Sequence, residues 1–539
     1  MSKKYILATL LSLVCGSYLA LGQENFKSTV TIEKDFEGKL MGVQKSELNK
    51  SYSDTLTKLN LNFDYSVFDR PYKDLYEFSP VEGVKLQKKG EVQYPVLIFR
   101  GALSYPLMPE GDLYIQPRLG KSSSLVFYGN HTSFWGNNDT IVGSPVNRSN
   151  TKGGLSYGYN WSKGELRLDG FYKYDYRFFN RNKAYNYGAQ NTQMAGGNFM
   201  LRSLNPDKNS FYYDVNGAYT FTSCQKSSQE GLIEGDLNLG FKIKGDHRLN
   251  LGAKVTHSIY STVLHNKSKG QDVCFENRGL FEVTPQYILT LPRINLRAGL
   301  SVGGDYSQDL SAVAFRIYPQ VQFTFEAVKK ALWLKVKVDG ENRLYSVRDM
   351  LNLNPWVDVD EVESCYIPLR GVVGLSGVVG DVFGYNVEGG YVRHNQFLSF
   401  YGMNDLQRSF VTEDVNEWNA SAGIMVKTQS LDINVKGQYR SFGDAIVYMV
   451  PSLSVDGNIK YNYMGRIFVE LGAKYYSPVE GKGVSYNGFV DLSAKFTYAA
   501  NSKVSIFAQG KNLLNNKIFL VQDYVEPGLN FGLGLFIKL

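Results

Sequence analysis

The sequence is poor in charge, in histidine and in cysteine, and it holds no long apolar run. Charged residues make up 20% of the chain, below the usual quarter. The net charge of +7 is mild and evenly spread, which argues against nucleic acid as a partner. The five histidines, His131, His247, His257, His265 and His394, lack metal-ligand spacing, and no HExxH or CxxC pattern occurs. No metal or cofactor is therefore expected. Beyond an N-terminal leader no stretch offers 18 apolar residues in succession, so no helical anchor is expected either.

The leader is residues 1–22. Lys3 and Lys4 form a basic start, Tyr5–Val14 an apolar run, and Ala20-Leu21-Gly22 a small-x-small cleavage site that would leave Gln23 first. Cys15 follows Val14, where lipidation wants a small residue, so the leader does not read as that of a lipoprotein. Loss of the two lysines would bring the net charge to about +5. An exported chain without a helical anchor is soluble in the periplasm, secreted, or a barrel in an outer membrane.

The abundant residues are aromatics and glycine. Among 539 residues there are 38 Tyr, 32 Phe and 53 Gly, and the aromatic share is 14%. Such residues suit β-strands. Alternation makes the case stronger. In Glu165–Tyr176 one face reads Leu166, Leu168, Gly170, Tyr172, Tyr174, Tyr176, and the other Glu165, Arg167, Asp169, Phe171, Lys173, Asp175. Leu431–Arg440 sets Leu431, Ile433, Val435, Gly437 and Tyr439 against Asp432, Asn434, Lys436, Gln438 and Arg440. Val490–Tyr498, Leu332–Asp339 and Leu249–Ile259 behave likewise. Period-two patterning gives each strand one apolar and one wet face. A soluble sandwich would show it too. The pattern recurs along nearly the whole chain beyond residue 95, aromatics crowd the strand ends, and segments run about ten residues, as a tilted membrane-crossing strand requires.

Roughly 22 strands follow from this patterning, between Leu97 and Leu539. Short links at Trp161–Lys163, Lys244-Gly245, Leu291-Pro292, Gly380 and Ala500-Asn501 alternate with long ones at Ser133–Thr151, Tyr176–Thr192, Asn342–Tyr366 and Asn395–Glu417. Short periplasmic turns and long outer loops mark an outer-membrane barrel. The expected fold is therefore all-β: a transmembrane antiparallel β-barrel of about 22 strands (20–22) over residues 95–539, preceded by a periplasmic arm, 23–94. Lipid cannot bond a bare strand edge, so the sheet must close. The last segment, GLNFGLGLFIKL from Gly528 to Leu539, would pair with the first strand near Leu97–Tyr105 and turn Phe531, Leu533, Leu535, Ile537 and Leu539 to lipid. Such a C-terminal strand is also what barrel-assembly machinery reads in bacteria. Most end in an aromatic residue, where this one has Leu539.

The stretch VSIFAQGKNLLNNKIFLVQDYVEPGLNFGLGLFIKL, from Val504 onward, resembles the C-terminal end of TonB-dependent receptors through Asn512, Leu513, Asn515, Lys517, Pro527 and Gly528. The segments Ile98–His131 and Thr29–Leu40 resemble plugless relatives of those receptors in the Bacteroidetes. The resemblance implies an outer membrane of a Gram-negative bacterium and a role in solute transport. Receptors also carry a folded plug domain inside the barrel. Here Gln23–Tyr94 offers only roughly seventy residues, polar and rich in Lys, Asp and Glu, without a Gly-rich pattern. So wide a lumen needs an obstruction, and the arm, the outer loops or a partner protein would supply it.

Catalytic readings are weak, and no catalytic residue is assigned. Gly299-Leu300-Ser301-Val302-Gly303 matches a nucleophile-elbow pattern, but no helix follows it. His131 and His394 lie near strand tops, where lumen or interface roles are the ordinary ones. Cys224, Cys274 and Cys365 remain after cleavage and map to outer-loop positions. A Cys224–Cys274 bond and three free thiols both stay open. The segments Asn342–Tyr366 and Asn395–Glu417, with Trp356, Asp358, Asp360, Glu361, Glu363, Tyr401 and Trp418 in or beside them, are the expected outer surfaces for ligands. Two functions fit: a transport barrel, or a scaffold barrel whose N-terminal arm docks a periplasmic partner. Fold alone does not choose between them.

Overall fold

The computed structural model describes residues 95–539 except 121, 139–143, 183–184, 205–209, 225–228, 261–262, 267–270, 275, 308–312, 356, 358–363, 401–409 and 523. The leader and the arm lie outside the described residues, as do Trp356, Asp358, Asp360, Glu361, Glu363 and Tyr401.

The strands in chain order are β1 (Leu97–Tyr105), β2 (Met108–Ile115), β3 (Ser123–Asn138), β4 (Ser144–Trp161), β5 (Gly164–Asn182), β6 (Tyr185–Ser203), β7 (Phe211–Cys224), β8 (Gln229–Lys244) and β9 (His247–Tyr260). A small hairpin, β10 (Val263–Asn266) and β11 (Gln271–Cys274), comes next. Then follow β12 (Arg278–Thr290), β13 (Ile294–Ser307), β14 (Ala314–Val328), β15 (Leu332–Leu344), a helix α1 (Val347–Leu353), β16 (Ser364–Val379), β17 (Phe383–Phe400), β18 (Phe410–Lys427), β19 (Leu431–Ser441), β20 (Leu453–Tyr463) and β21 (Ile467–Tyr476). The last part holds a hairpin β22 (Val479–Gly481) and β23 (Val484–Tyr486), then β24 (Phe489–Ala499), β25 (Val504–Lys511), a hairpin β26 (Phe519–Val521) and β27 (Tyr524–Val525), and β28 (Asn530–Lys538). Apart from the three hairpins, all strands belong to one 22-stranded antiparallel sheet. Each expected strand falls on one of these.

The sheet closes on itself. β28 pairs with β1 from Ile98↔Lys538 to Tyr105↔Phe531, and the amides of Val96 and Leu97 donate to the Leu539 carbonyl at 2.6 and 3.1 Å. No edge strand is left to meet lipid. On the outer face of β28, Phe531 is 57% and Leu533 70% exposed, as the alternation required.

Aromatics form two girdles on the outer surface. Tyr159, Phe211, Phe241, Phe383, Tyr463 and Tyr498 ring the end with the short turns; Tyr105, Tyr172, Tyr219, Trp418, Tyr439 and Phe531 form the other ring. Phe211 and Tyr219, both on β7, lie about 27 Å apart along the strand, or about 20 Å along the axis at a tilt of ~40°. That matches the apolar band of an outer-membrane barrel. The short turns reverse through left-handed residues such as Gly245 (φ 59°) and Gly380 (φ 64°), which glycine adopts without steric cost.

Three expected loops are strand for much of their length. β3 and β4 stay paired out to Asn138↔Ser144, and β5 and β6 out to Asn182↔Tyr185. The hairpin β17–β18 likewise reaches Phe400↔Phe410. These ribbons run on past the far girdle, where the alternation in the sequence fades. Trp418, beside the expected outer segment, belongs to the lipid-side girdle. Cys224 ends β7 and Cys365 opens β16; both are strand positions, correcting the loop placement, and both thiols are buried and free. Cys224 is therefore not bonded to Cys274.

Candidate functional site

The lumen face is polar. Across β19, β20, β21 and β24 the register aligns Asp432, Lys460, Glu470 and Lys495 in one row, and Lys436, Asp456, Lys474 and Asp491 in another. Each charge there meets its opposite on the next strand, which stabilises a sheet. Between them Val435, Ile459, Leu471 and Phe496 point outward and are exposed. Farther round the wall, Glu417 on β18 is bracketed by Arg440, at 2.8 Å from each oxygen, and by His394 at 3.0 Å.

At the long-loop end the chain itself folds into this wet interior. The link between β15 and β16 was expected to face outward. It turns into the mouth and forms α1. Ser346 caps the helix, its hydroxyl accepting from the Asp349 amide at 3.0 Å. The first amides, of Val347 and Arg348, donate to Glu230 of β8 at 3.1 and 3.0 Å. Glu230 is fully buried and also accepts from Ser258 of β9. A carboxylate at a helix start satisfies orphan amides and favours the helix dipole. Arg348 then grips Glu234, two side-chain rows further along β8, with Nη2 to Oε1 at 2.9 Å. Burial works against the Arg348 charge, but the hydrogen bond to Glu234 and the nearby Asp349 outweigh it and hold its pKa above the ordinary value.

An apolar cluster backs these polar ties. Val347, Met350 and Leu351 pack with Leu280, Cys224, Cys365, Ile367, Val392, Leu398, Phe400 and Phe410 from the wall. These come from β7, β12, β16, β17 and β18, so the inward loop bears on a wide arc. At the end of α1, Leu351, Asn352 and Pro355 line one space with Lys173, Asp175 and Arg177 of β5 and Gln190, Thr192 and Met194 of β6.

At the same end three further links pack on each other. The Met449 amide donates to the Glu480 carbonyl at 2.8 Å. The Lys482 amide donates to Gln522 at 2.9 Å, and the rings of Tyr486 and Phe519 lie 4.5 Å apart. The motif shared with receptor C-termini shapes the last link. Asn512 and Asn515 adopt left-handed φ of 47° and 51°, which asparagine tolerates better than most residues. The Asn512 carboxamide bonds Asn516, with the Asn516 amide donating at 2.9 Å, and the Leu529 amide donates to Asn515 at 3.0 Å. The link thereby folds inward, burying Ile518, Tyr524 and Val525 and setting Glu526 against Arg148 of β4 at 2.6 Å. Burial, reinforced by Glu526, raises the Tyr524 pKa.

The residues singled out for chemistry do not converge. His131 lies on the same strand face as exposed Phe127 and Trp135 and bonds Thr151 and Ser133 at 2.8 and 3.1 Å. His394 is buried on the lumen face. The two therefore sit on opposite sides of the wall. Ser301 lies inside β13 and is bonded to Glu282 at 2.9 Å and to Thr284 at 2.7 Å; no strand-to-helix turn presents it. The polar ties Glu230, Glu234 and Arg348 escaped sequence reasoning. Ser346 followed by Asp349 is a capping-box-like signal that would have marked the helix.

No family model and no curated protein matches the chain. Solved structures do. The FrpB iron transporter from Neisseria meningitidis superposes with a TM-score of 0.63 at 11% identity, covering 84% of this chain and 82% of that one. The siderophore receptor PirA from Acinetobacter baumannii gives 0.61 at 9% identity, with 82% and 80% covered. The ferric-catecholate import receptor Fiu from E. coli K12 gives 0.61 at 8% identity, with 83% and 82% covered. The barrel shares its fold with these iron and siderophore proteins. At such identities the likeness is one of fold, and the wall of a Gram-negative outer-membrane receptor is the architecture it describes.

Proposed function

We propose that the chain is a non-enzymatic outer-membrane conduit for a small solute, opened by displacement of its inward-folded loops. One observation carries this reading. A closed cylinder keeps a polar interior along its wall, and loops tethered at its mouth, rather than wall side chains filling the bore, block it. The fold likeness to iron and siderophore transporters supports transport as the task. The short, polar segment 23–94 supports a plugless form of the receptor type found in Bacteroidetes. In this reading residues 1–22 direct export, 23–94 form a periplasmic arm free to engage a partner protein, and β28 carries the signal for barrel assembly.

The test is conductance of the mature chain, residues 23–539, in planar bilayers, beside a variant in which 346–355 is replaced by a short Gly-Ser link. The variant is expected to show a larger unit conductance than the parent and to admit solutes in liposome swelling. If neither protein conducts or admits solute, the conduit reading fails and the scaffold barrel takes its place.

A further inference from the structure

We propose that the lipid-facing surface of β4–β8 holds one acyl chain of an outer-leaflet membrane lipid in a groove of its own. The groove is a hollow of about 590 Å³ on the outside of the wall. The register builds it. One row of outward residues runs Leu155, Gly170, Gly197, Tyr219, Ile233 from β4 to β8. The next row toward the short turns holds Leu168 and Phe199, which are direct partners. The leucines, the isoleucine and the two rings all stand exposed. Between Leu155 and Tyr219 the two glycines leave the wall bare.

Packing does not demand this bareness. At Gly217 and Gly240 a Cβ would strike the rings of Phe199 and Tyr212, so glycine is required there. At Gly170 a Cβ would meet nothing within 4 Å, and the backbone is ordinary strand. Glycine weakens a strand interior, so neither crowding nor conformation accounts for this one.

Position and shape name the occupant. Tyr219 belongs to the girdle at the long-loop end, and Gly197 is its direct partner on β6. The hollow therefore opens into the hydrocarbon of the outer leaflet, where water has no access. Four inter-strand steps of ~4.8 Å make it about 19 Å long, and its two rows lie ~7 Å apart along the strands. One leaflet's hydrocarbon is ~15 Å deep. A long, narrow, apolar hollow of these dimensions fits an extended acyl chain. A second copy of the barrel would need a broad face, about 800 Å² per partner in a stable interface. Asp169 and Glu234 also border the hollow, but their carboxylates turn to the lumen, where they accept from Tyr128 and Arg348. Lipid tails are as apolar as leucine, so a chain gains here by packing and not by leaving water. On a flat wall it touches protein on one side. In the hollow Leu155 and Tyr219 flank it as well, and the added dispersion contacts retain it.

The inference rests on the membrane barrel and not on what crosses it. The measurement is native mass spectrometry of the mature chain, residues 23–539, in maltoside micelles, stripped of lipid and titrated with lipid A, the acylated glycolipid of that leaflet. One lipid A is expected to persist at activation energies that remove the detergent. Gly170→Leu fills the hollow and should bind lipid A about tenfold or more weakly. Gly457→Leu faces outward on β20, opposite exposed Val435, where a Cβ meets only ordinary contacts. It should leave retention unchanged. Heat-modifiable migration verifies folding, and Gly170→Val serves if the leucine variant does not insert. A parent that retains no lipid A overturns the groove. So does undiminished retention by the folded Gly170 variant, or an equal loss in the β20 control. A dimeric parent that turns monomeric on Gly170→Leu would give the hollow to a second copy, and overturns the lipid as its occupant.

Discussion

On β19–β24 each lumen charge faces its opposite, Lys436 to Asp456 to Lys474 to Asp491, and the neighbouring row repeats the rule. On β4–β5 the order is inverted, with arginine facing arginine and lysine facing lysine. Both stretches belong to one cylinder, line one cavity and obey one period of two. Sheet energetics account for the first stretch, because cross-strand attraction is what a wall of this kind gains from charge. They count against the second, which has to be held by Asp175, by Glu526 from a distant link and by aromatic rings.

Substitutions can break this comparison in a graded way. The largest effect is expected where a carboxylate only 2% exposed is held by an arginine and a histidine, at Glu417. Glu417→Gln leaves Arg440 buried without its counter-charge and should cost about 3 kcal/mol, read as a lower urea midpoint for unfolding from detergent micelles. Next comes Lys474→Glu, which would set three acids in a row with Asp456 and Asp491. It should destabilise by about 1–2 kcal/mol in the same assay. The smallest effect has the opposite sign. Lys173→Glu gives Lys152 an opposite neighbour and should stabilise by about 0.5 kcal/mol. A destabilisation by Lys173→Glu as large as that of Lys474→Glu would mean the two walls do not differ in the way described.

The strands were legible because each had to present one face to lipid and one to water. That demand writes itself into sequence, as Leu431–Arg440 and its strand Leu431–Ser441 illustrate. Legibility stopped where the demand stopped. Above the far girdle, Arg177–Asn182 and Asn137–Asn138 still pair in the sheet, yet neither face touches lipid, so the stretches looked like loop. The closed mouth was illegible for another reason. α1 spans only Val347–Leu353, too short to persist alone; it exists because Glu230, more than a hundred residues earlier, receives its first amides. The cation cluster sat in view as Lys173 and Arg167–Asp175 alternation, but only the register between β4 and β5 reveals that like meets like.

The seam between β1 and β28 also bears on biogenesis. Leu97–Tyr105 leaves the ribosome long before its partner Asn530–Lys538 exists, so the first edge of the sheet has no mate until synthesis is nearly complete. The cylinder can shut only when its final strand arrives.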